Sequence, residues 1–101
     1  MVIFNIFFTP SAENDLLNAK QFYAKINKAL GQYCVDSLML DIERLRFFAG
    51  IHPSINGSFR VLARSFPFSI YYQVIKDRVL ILAVLDNRQD PKSIEHRLTN
   101  R

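Results

Sequence analysis

The sequence predicts an α+β fold in which a helical hairpin packs on one face of a mainly antiparallel four-stranded sheet. Three observations indicate this fold. An apolar segment rich in Ile, Val and Phe opens the chain, two stretches of helical periodicity follow it, and three strand patterns run from Phe59 to Leu85. The order β-α-α-β-β-β is typical of a sheet that carries its helices on one side.

The first half of the chain contains one strand and two helices. Residues 2–8 predict a well-buried first strand. Thr9 can cap the helix that follows, and Pro10 fits its first position because no N–H is needed there. Gly31 is expected to end this helix, and Gly50 a second one. The apolar stripes of the two helices are Leu16, Ala19, Tyr23, Ile26 and Leu30, and then Cys34, Leu38, Ile42, Leu45 and Ala49.

The second half predicts a loop, a three-stranded meander and a polar tail. Residues 52–58 form the loop, in which His52 is expected to face solvent. The strands are expected at residues 59–65, 67–75 and 78–85. Residues 91–101 are polar and are expected to add little to the core, even with a short helix from Lys92 to Leu98.

Side-chain alternation gives the meander one apolar face and one polar face. Arg60 and Arg64 are expected on the polar face with Ser69, Tyr71 and Gln73, and Arg88 follows the last strand. We therefore take Arg60, Arg64, Tyr71 and Arg88 as candidate contacts for a target. The alternatives are a solvated sheet face for Arg60 and Arg64, strand packing for Tyr71, and pairing of Arg88 with a neighbouring aspartate.

Length and composition bound the class of protein. The 101 residues suffice for one domain, residues 1–101, and the net charge of +4 fits a nucleic acid or an acidic protein partner. Cys34 is the only cysteine, so an internal disulfide and a cysteine-rich zinc site are excluded. We expect no metal, no cofactor and no membrane span, and a cytoplasmic location.

Four segments, in order, resemble the RelE/ParE superfamily of type II toxin–antitoxin toxins, nearer its ParE branch. They are FTPSAENDLLNAKQFYAKIN, LGQYCVDSLMLDIERL, FRVLARSFPFSIYYQV and VLILAVLDNRQDP. The resemblance implies a growth-inhibiting toxin, of a class linked to plasmid stabilisation, that a cognate antitoxin neutralises in a hetero-oligomer. ParE-like members inhibit DNA gyrase, and RelE-like members cleave mRNA on the ribosome.

The cations that the resemblance implies for RNA cleavage are mostly not matched. Arg60 matches the first basic position, whereas Leu62, Ser69 and Gln89 stand where basic residues are expected, and no tyrosine follows Tyr72. The loss of one transition-state donor typically costs about 2.7–4 kcal/mol of barrier. The pattern favours ParE-like gyrase inhibition and leaves the catalytic residues unassigned. A RelE-like ribonuclease and a non-toxic, antitoxin-binding member are the alternatives.

Three phenylalanines exceed what the two helical stripes need. They are Phe22, Phe47 and Phe48. Exposed apolar side chains of this kind usually mark an interface, so we expect them to contact the antitoxin.

Overall fold

A computed structural model, which describes residues 2–99, confirms the α+β architecture. The elements are β1 (Asn5–Phe8), α1 (Pro10–Ala24), α2 (Lys28–Glu43), α3 (Leu45–Phe48), β2 (Ser54–Ile55), β3 (Ser58–Leu62), β4 (Phe68–Ile75), β5 (Arg78–Asp86) and α4 (Pro91–Thr99). The strands form one sheet in the order β1-β5-β4-β3-β2. β1 pairs with β5 in parallel, and the other neighbours are antiparallel.

The sheet has a fifth strand within the segment predicted as a loop. The two-residue strand β2 pairs with the start of β3. The turn between them places Asn56 and Gly57 at φ angles of 53° and 80°. Positive φ at both central residues is what a type I′ hairpin turn requires, and Asn-Gly is the pair best suited to it.

β1 is an edge strand and is not well buried, contrary to the prediction. Its four residues alternate between exposed and partly buried. One face of the strand meets the helices, whereas the other has no covering layer. An apolar sequence therefore indicated a strand correctly but not its depth in the sheet.

The helix boundaries correct the role predicted for Gly31. Thr9 caps α1 as expected, since its side chain accepts a hydrogen bond from the Ala12 N–H. α1 already ends at Ala24, and α2 begins after the cap residue Asn27. Gly31 lies inside α2, where a Cβ would stand 2.6 Å from the Lys20 carbonyl oxygen. The glycine therefore allows a close helix crossing and does not end a helix.

The main core lies between the helices and the sheet. The predicted inward face of the meander is confirmed, because Phe59, Val61, Phe68, Ile70 and Tyr72 all join this core. From the helices come chiefly Ala12, Leu16, Ala19, Cys34, Leu38, Ile42 and Leu45. The predicted stripe of the second helix is thus buried.

The opposite face of the sheet is partly covered by α4, so the prediction that the tail adds little to the core is wrong. Leu98 is 1% exposed and packs with Tyr71, Ala83 and Leu85, and Ile94 packs against the same cluster. Ile94 and Leu98 are four residues apart, so they lie on one side of a helix. The sequence-based prediction missed this contact because only Ile94 and Leu98 make it and the rest of the tail is polar.

α4 is also held by an ion pair to a buried carboxylate. The Arg97 guanidinium donates to both carboxylate oxygens of Asp15, at 3.0 and 2.7 Å. Asp15 is buried in α1, and its Oδ2 also accepts a hydrogen bond from the Val84 N–H of β5. One carboxylate therefore joins α1, β5 and α4.

The sequence led us to expect no membrane-spanning segment. Among residues 2–99, none of the helices combines the length and the apolar character that crossing a bilayer would need.

Candidate functional site

A pocket of about 350 Å³ opens on the sheet face that carries α4, and we call it the Arg60 pocket. Its walls come from the β2–β3 hairpin, from β4, from the segment that joins β5 to α4 and from α4 itself. The lining residues are Ile55, Asn56, Arg60, Tyr71, Asn87, Gln89, Pro91, Ile94 and Glu95. One guanidinium, three side-chain amides and one carboxylate thus supply most of its polar groups.

Arg60 is positioned by contacts on both sides. Its backbone N–H donates to the Pro53 carbonyl oxygen at 2.9 Å. Its Nε donates to Ser69 Oγ at 3.0 Å, and the buried Ser69 hydroxyl in turn donates to Asn87 Oδ1. Within residues 2–99 the two terminal Nη groups have no acceptor. A guanidinium oriented through Nε with free Nη groups is suited to bind a carboxylate or phosphate oxygen.

Arg88 is exposed, but its charge is already engaged. Its guanidinium donates to both carboxylate oxygens of Asp86, with Nη2 at 2.6 Å from Oδ2. These hydrogen bonds hold the pKa of Asp86 below its ordinary value. Of the two readings left open by the sequence, pairing with a neighbouring aspartate is the one observed.

Tyr71 lies under α4, so the structure contradicts its prediction as a surface contact. The side chain is only 3% exposed and belongs to the apolar cluster with Leu98. It reaches the Arg60 pocket from below as part of the wall. Strand packing is the observed role, because α4 covers this part of the sheet.

Arg64 does not share a surface with Arg60, which corrects the predicted basic face. β3 ends at Leu62, and Arg64 lies in the bend that follows. There its backbone N–H donates to Asp41 Oδ2 of α2 at 3.1 Å. Alternation of side chains applies only while the residues remain in the strand. Arg64 therefore lines a different pocket, on the helix side.

That second pocket, the helix-side pocket, has a volume of about 240 Å³. Its lining is largely apolar, with Arg44, Arg64, Asp41 and His52 as the polar members; the apolar residues are Leu45, Phe48, Ile51, Val61 and Leu62. A partner's apolar side chain next to an acidic group would match this combination.

The three phenylalanines predicted as antitoxin contacts are each about half exposed. Phe47 and Phe48 lie in α3, and Phe48 lines the helix-side pocket. Phe22 lies in α1 and lines another pocket, with Ala19, Phe68 and Gln89. Phe47 and Phe48 are therefore neighbours in α3, whereas Phe22 lies on a separate surface.

His52 is partly buried and does not simply face solvent. Its Nδ1 is hydrogen-bonded to the hydroxyl of Tyr72, which also accepts the Gly50 N–H at 2.9 Å. When the imidazole is neutral, Nδ1 can accept the proton of the Tyr72 hydroxyl. Burial lowers the pKa of His52. No local pattern in the sequence indicates this contact, since the partners are 20 residues apart.

His52 should make the protein less stable in mild acid. Its pKa is lower in the folded than in the unfolded chain, so its contribution is complete above about pH 6.5 and is lost as the pH falls below that value. In His52→Asn, the amide oxygen can accept the Tyr72 proton without titrating. Urea unfolding from about pH 7.5 to about pH 5 should show a steeper loss for the parent than for this variant. Parallel curves would show that His52 does not titrate with folding.

Comparison with known proteins decides the family. Residues 6–91 match the family described as ParE toxin of type II toxin-antitoxin system, parDE. The chain belongs to this ParE toxin family. It is therefore the toxin component of a type II toxin–antitoxin system. No curated protein matches the sequence.

The fold of this ParE-family toxin is also found among solved structures. One of them is described as the chromosomal ParDE TA system from P. aeruginosa, with a TM-score of 0.74 and 21% sequence identity. The match covers 81% of this chain and 94% of the other. At that identity the likeness establishes the shared fold, and the residues of the Arg60 pocket must be judged on their own chemistry.

Proposed function

We propose that this ParE-family toxin arrests bacterial growth in the cytoplasm by binding DNA gyrase, and that a cognate antitoxin neutralises it. The composition of the Arg60 pocket carries the choice of target class. It offers one free guanidinium on a rigid support, surrounded by amides, which suits recognition of an oxyanion. Recognition without bond cleavage is what inhibition by binding requires.

The same pocket gives little support to RNA cleavage. Ser69 stands where a further cation is expected, and its hydroxyl is used to orient Arg60. Gln89 is uncharged, and Glu95 adds a negative charge to the lining. Each missing transition-state donor costs about 2.7–4 kcal/mol, so several absences together remove most of the rate. The ribonuclease reading therefore remains the second candidate.

The antitoxin surface is proposed at α3 and the helix-side pocket. Phe47 and Phe48 are exposed on α3, and Phe48 lines the pocket together with Ile51, Leu62, Arg44 and Arg64. An antitoxin segment with alternating apolar and acidic residues would bury the rings and pair with the arginines. This surface is separate from the Arg60 pocket, so antitoxin and target contacts are distinguishable by mutation.

Arg60→Ala is expected to weaken growth inhibition, so that the inducer concentration needed for arrest rises about tenfold or more. The reason is the loss of the free guanidinium, worth about 1.5–3 kcal/mol in a charge-assisted hydrogen bond. Arg78→Ala is the matched control, because it removes an exposed arginine at the other end of the same sheet. Induced growth curves are the measurement, with thermal melting to confirm folding. Equal toxicity of Arg60→Ala and the parent would contradict the proposed target site.

The type of arrest separates the candidates. Filamentation with a DNA-damage response supports gyrase, whereas immediate translation arrest with cleaved mRNA supports the ribonuclease. Normal growth on induction would mean that the chain is a non-toxic member, and co-purification with the product of the neighbouring gene then tests the antitoxin contact alone.

A further inference from the structure

Four aromatic rings form a continuous row at the end of the α1–α2 hairpin. In order they are Phe22, Tyr23, Phe66 and Tyr33, and we call them the aromatic row. Their centroids are separated by 5.1, 4.9 and 5.5 Å, and each contact is edge-to-face. The row joins α1, the bend before β4 and α2.

The two inner rings of the row pack against the core, whereas the two outer rings are largely exposed to solvent. Tyr23 and Phe66 are partly buried against the main core. Phe22 and Tyr33, at the two ends of the row, remain 52% and 55% exposed. Exposed rings at both ends of a packed row leave flat apolar surfaces for a ligand.

The chain segment that carries three of the four rings is positively charged. No aspartate or glutamate occurs between Asp15 and Asp36, whereas Lys20, Lys25 and Lys28 lie in that interval. Asp36 accepts a hydrogen bond from Gln32. Lys25 and Lys28 are exposed at the junction of the helices.

Arg88 adds a guanidinium beside the row. Asp86 and, to a smaller extent, the Tyr23 hydroxyl raise the pKa of Arg88, because both stabilise its charged form. Two carboxylates line the pocket that contains Phe22, and each is paired with an arginine: Asp86 with Arg88 and Asp15 with Arg97.

We propose that the aromatic row binds single-stranded nucleic acid, with bases stacked on Phe22 and Tyr33 and phosphates near Lys25 and Lys28. Flat rings can stack only on unpaired bases, because a duplex encloses the base faces. The lysines supply charge complementarity to the backbone. This inference goes beyond the proposed gyrase target, and it concerns a different surface from the Arg60 pocket.

The test is fluorescence anisotropy with the purified full chain and labelled oligothymidylate or oligouridylate of about 12 nucleotides. Phe22→Ala and Tyr33→Ala should each weaken binding by about tenfold, as expected for the loss of one stacked base. Phe7→Ala, which removes a ring of similar exposure on β1, should leave binding unchanged. Phe22→Leu and Tyr33→Leu keep apolar volume and should also weaken binding, which guards against a folding defect.

The charge contribution has its own control. Lys25→Gln should lower the salt dependence of log Kd by about 0.7, the value for one phosphate contact on a single strand. Lys76→Gln, in the β4–β5 turn, should not change it. The two oligonucleotides distinguish DNA from RNA as the source of the strand.

Three outcomes would overturn the proposal. They are no saturable binding at about 50 mM salt, tighter binding to a duplex of the same length, and an equal loss in Phe7→Ala. If Phe22→Ala and Tyr33→Ala abolished only co-purification with the antitoxin, the row would belong to a protein interface. Because the assay contains only toxin and nucleic acid, its result does not depend on whether the protein inhibits gyrase.

Discussion

Leu98→Ala is expected to lower the free energy of unfolding by about 2–5 kcal/mol, as for other buried leucines. Leu98 is 1% exposed, and its methyl groups fill the space between α4 and the residues Tyr71, Ala83 and Leu85. Urea unfolding followed by circular dichroism measures the change. Leu40→Ala is the matched control, because this leucine of α2 is 67% exposed and its truncation should change stability by less than about 0.5 kcal/mol.

Truncation after Asp90 should have a still larger effect, because it also removes Arg97. Asp15 would then lose its cationic partner and keep the Val84 N–H as its one hydrogen bond among those described. Removing one member of a buried pair typically costs about 3–5 kcal/mol; the partial exposure of Arg97 places this case toward the lower end. Full-length and truncated chains that melt at the same temperature would show that α4 does not stabilise the fold.

Gly31→Ala is expected to destabilise the protein by about 2 kcal/mol, although alanine is the better helix former. The new Cβ would lie 2.6 Å from the Lys20 carbonyl oxygen and 2.8 Å from the Ala24 Cβ. A backbone oxygen cannot rotate away as a side chain can, so α1 and α2 must separate. That separation would loosen the contacts around Cys34 and Leu38.

A double-mutant cycle tests the cause of this loss. In an Ala24→Gly background the Cβ contact is absent, so Gly31→Ala should cost less than in the parent, while the clash with the Lys20 oxygen persists. Thermal melting of the four proteins gives the coupling. A more stable Gly31→Ala single variant would mean that helix propensity outweighs the close crossing.

The local periodicities predicted most of the fold. The apolar stripe of the second helix and the inward face of β3 and β4 are where the sequence placed them. Both predictions depend on spacings within one element, about 3.6 residues for a helix and two for a strand. The cap at Thr9 was equally predictable, because its hydrogen bond spans three residues.

The candidate site was predicted only in part. Arg60 was correctly expected on the face opposite the main core, since it lies within a regular strand. Arg64 was misplaced because β3 ends before it, and Tyr71 because α4 covers it. The alternation rule gives the direction of a side chain but neither the end of the strand nor what packs above it.

The sequence by itself determined the four longer strands, the two long helices and their order, most of the main core and the family pattern. The tertiary structure decided which surfaces stay open. Gly31 allows α1 and α2 to approach closely, Asp15 pairs with Arg97, which is 82 residues away, and His52 is hydrogen-bonded to Tyr72. These outcomes depend on groups distant in the chain, whose approach is fixed only when the layers pack. Local spacing carries no information about such pairs, which is why the fold was more predictable than its surfaces.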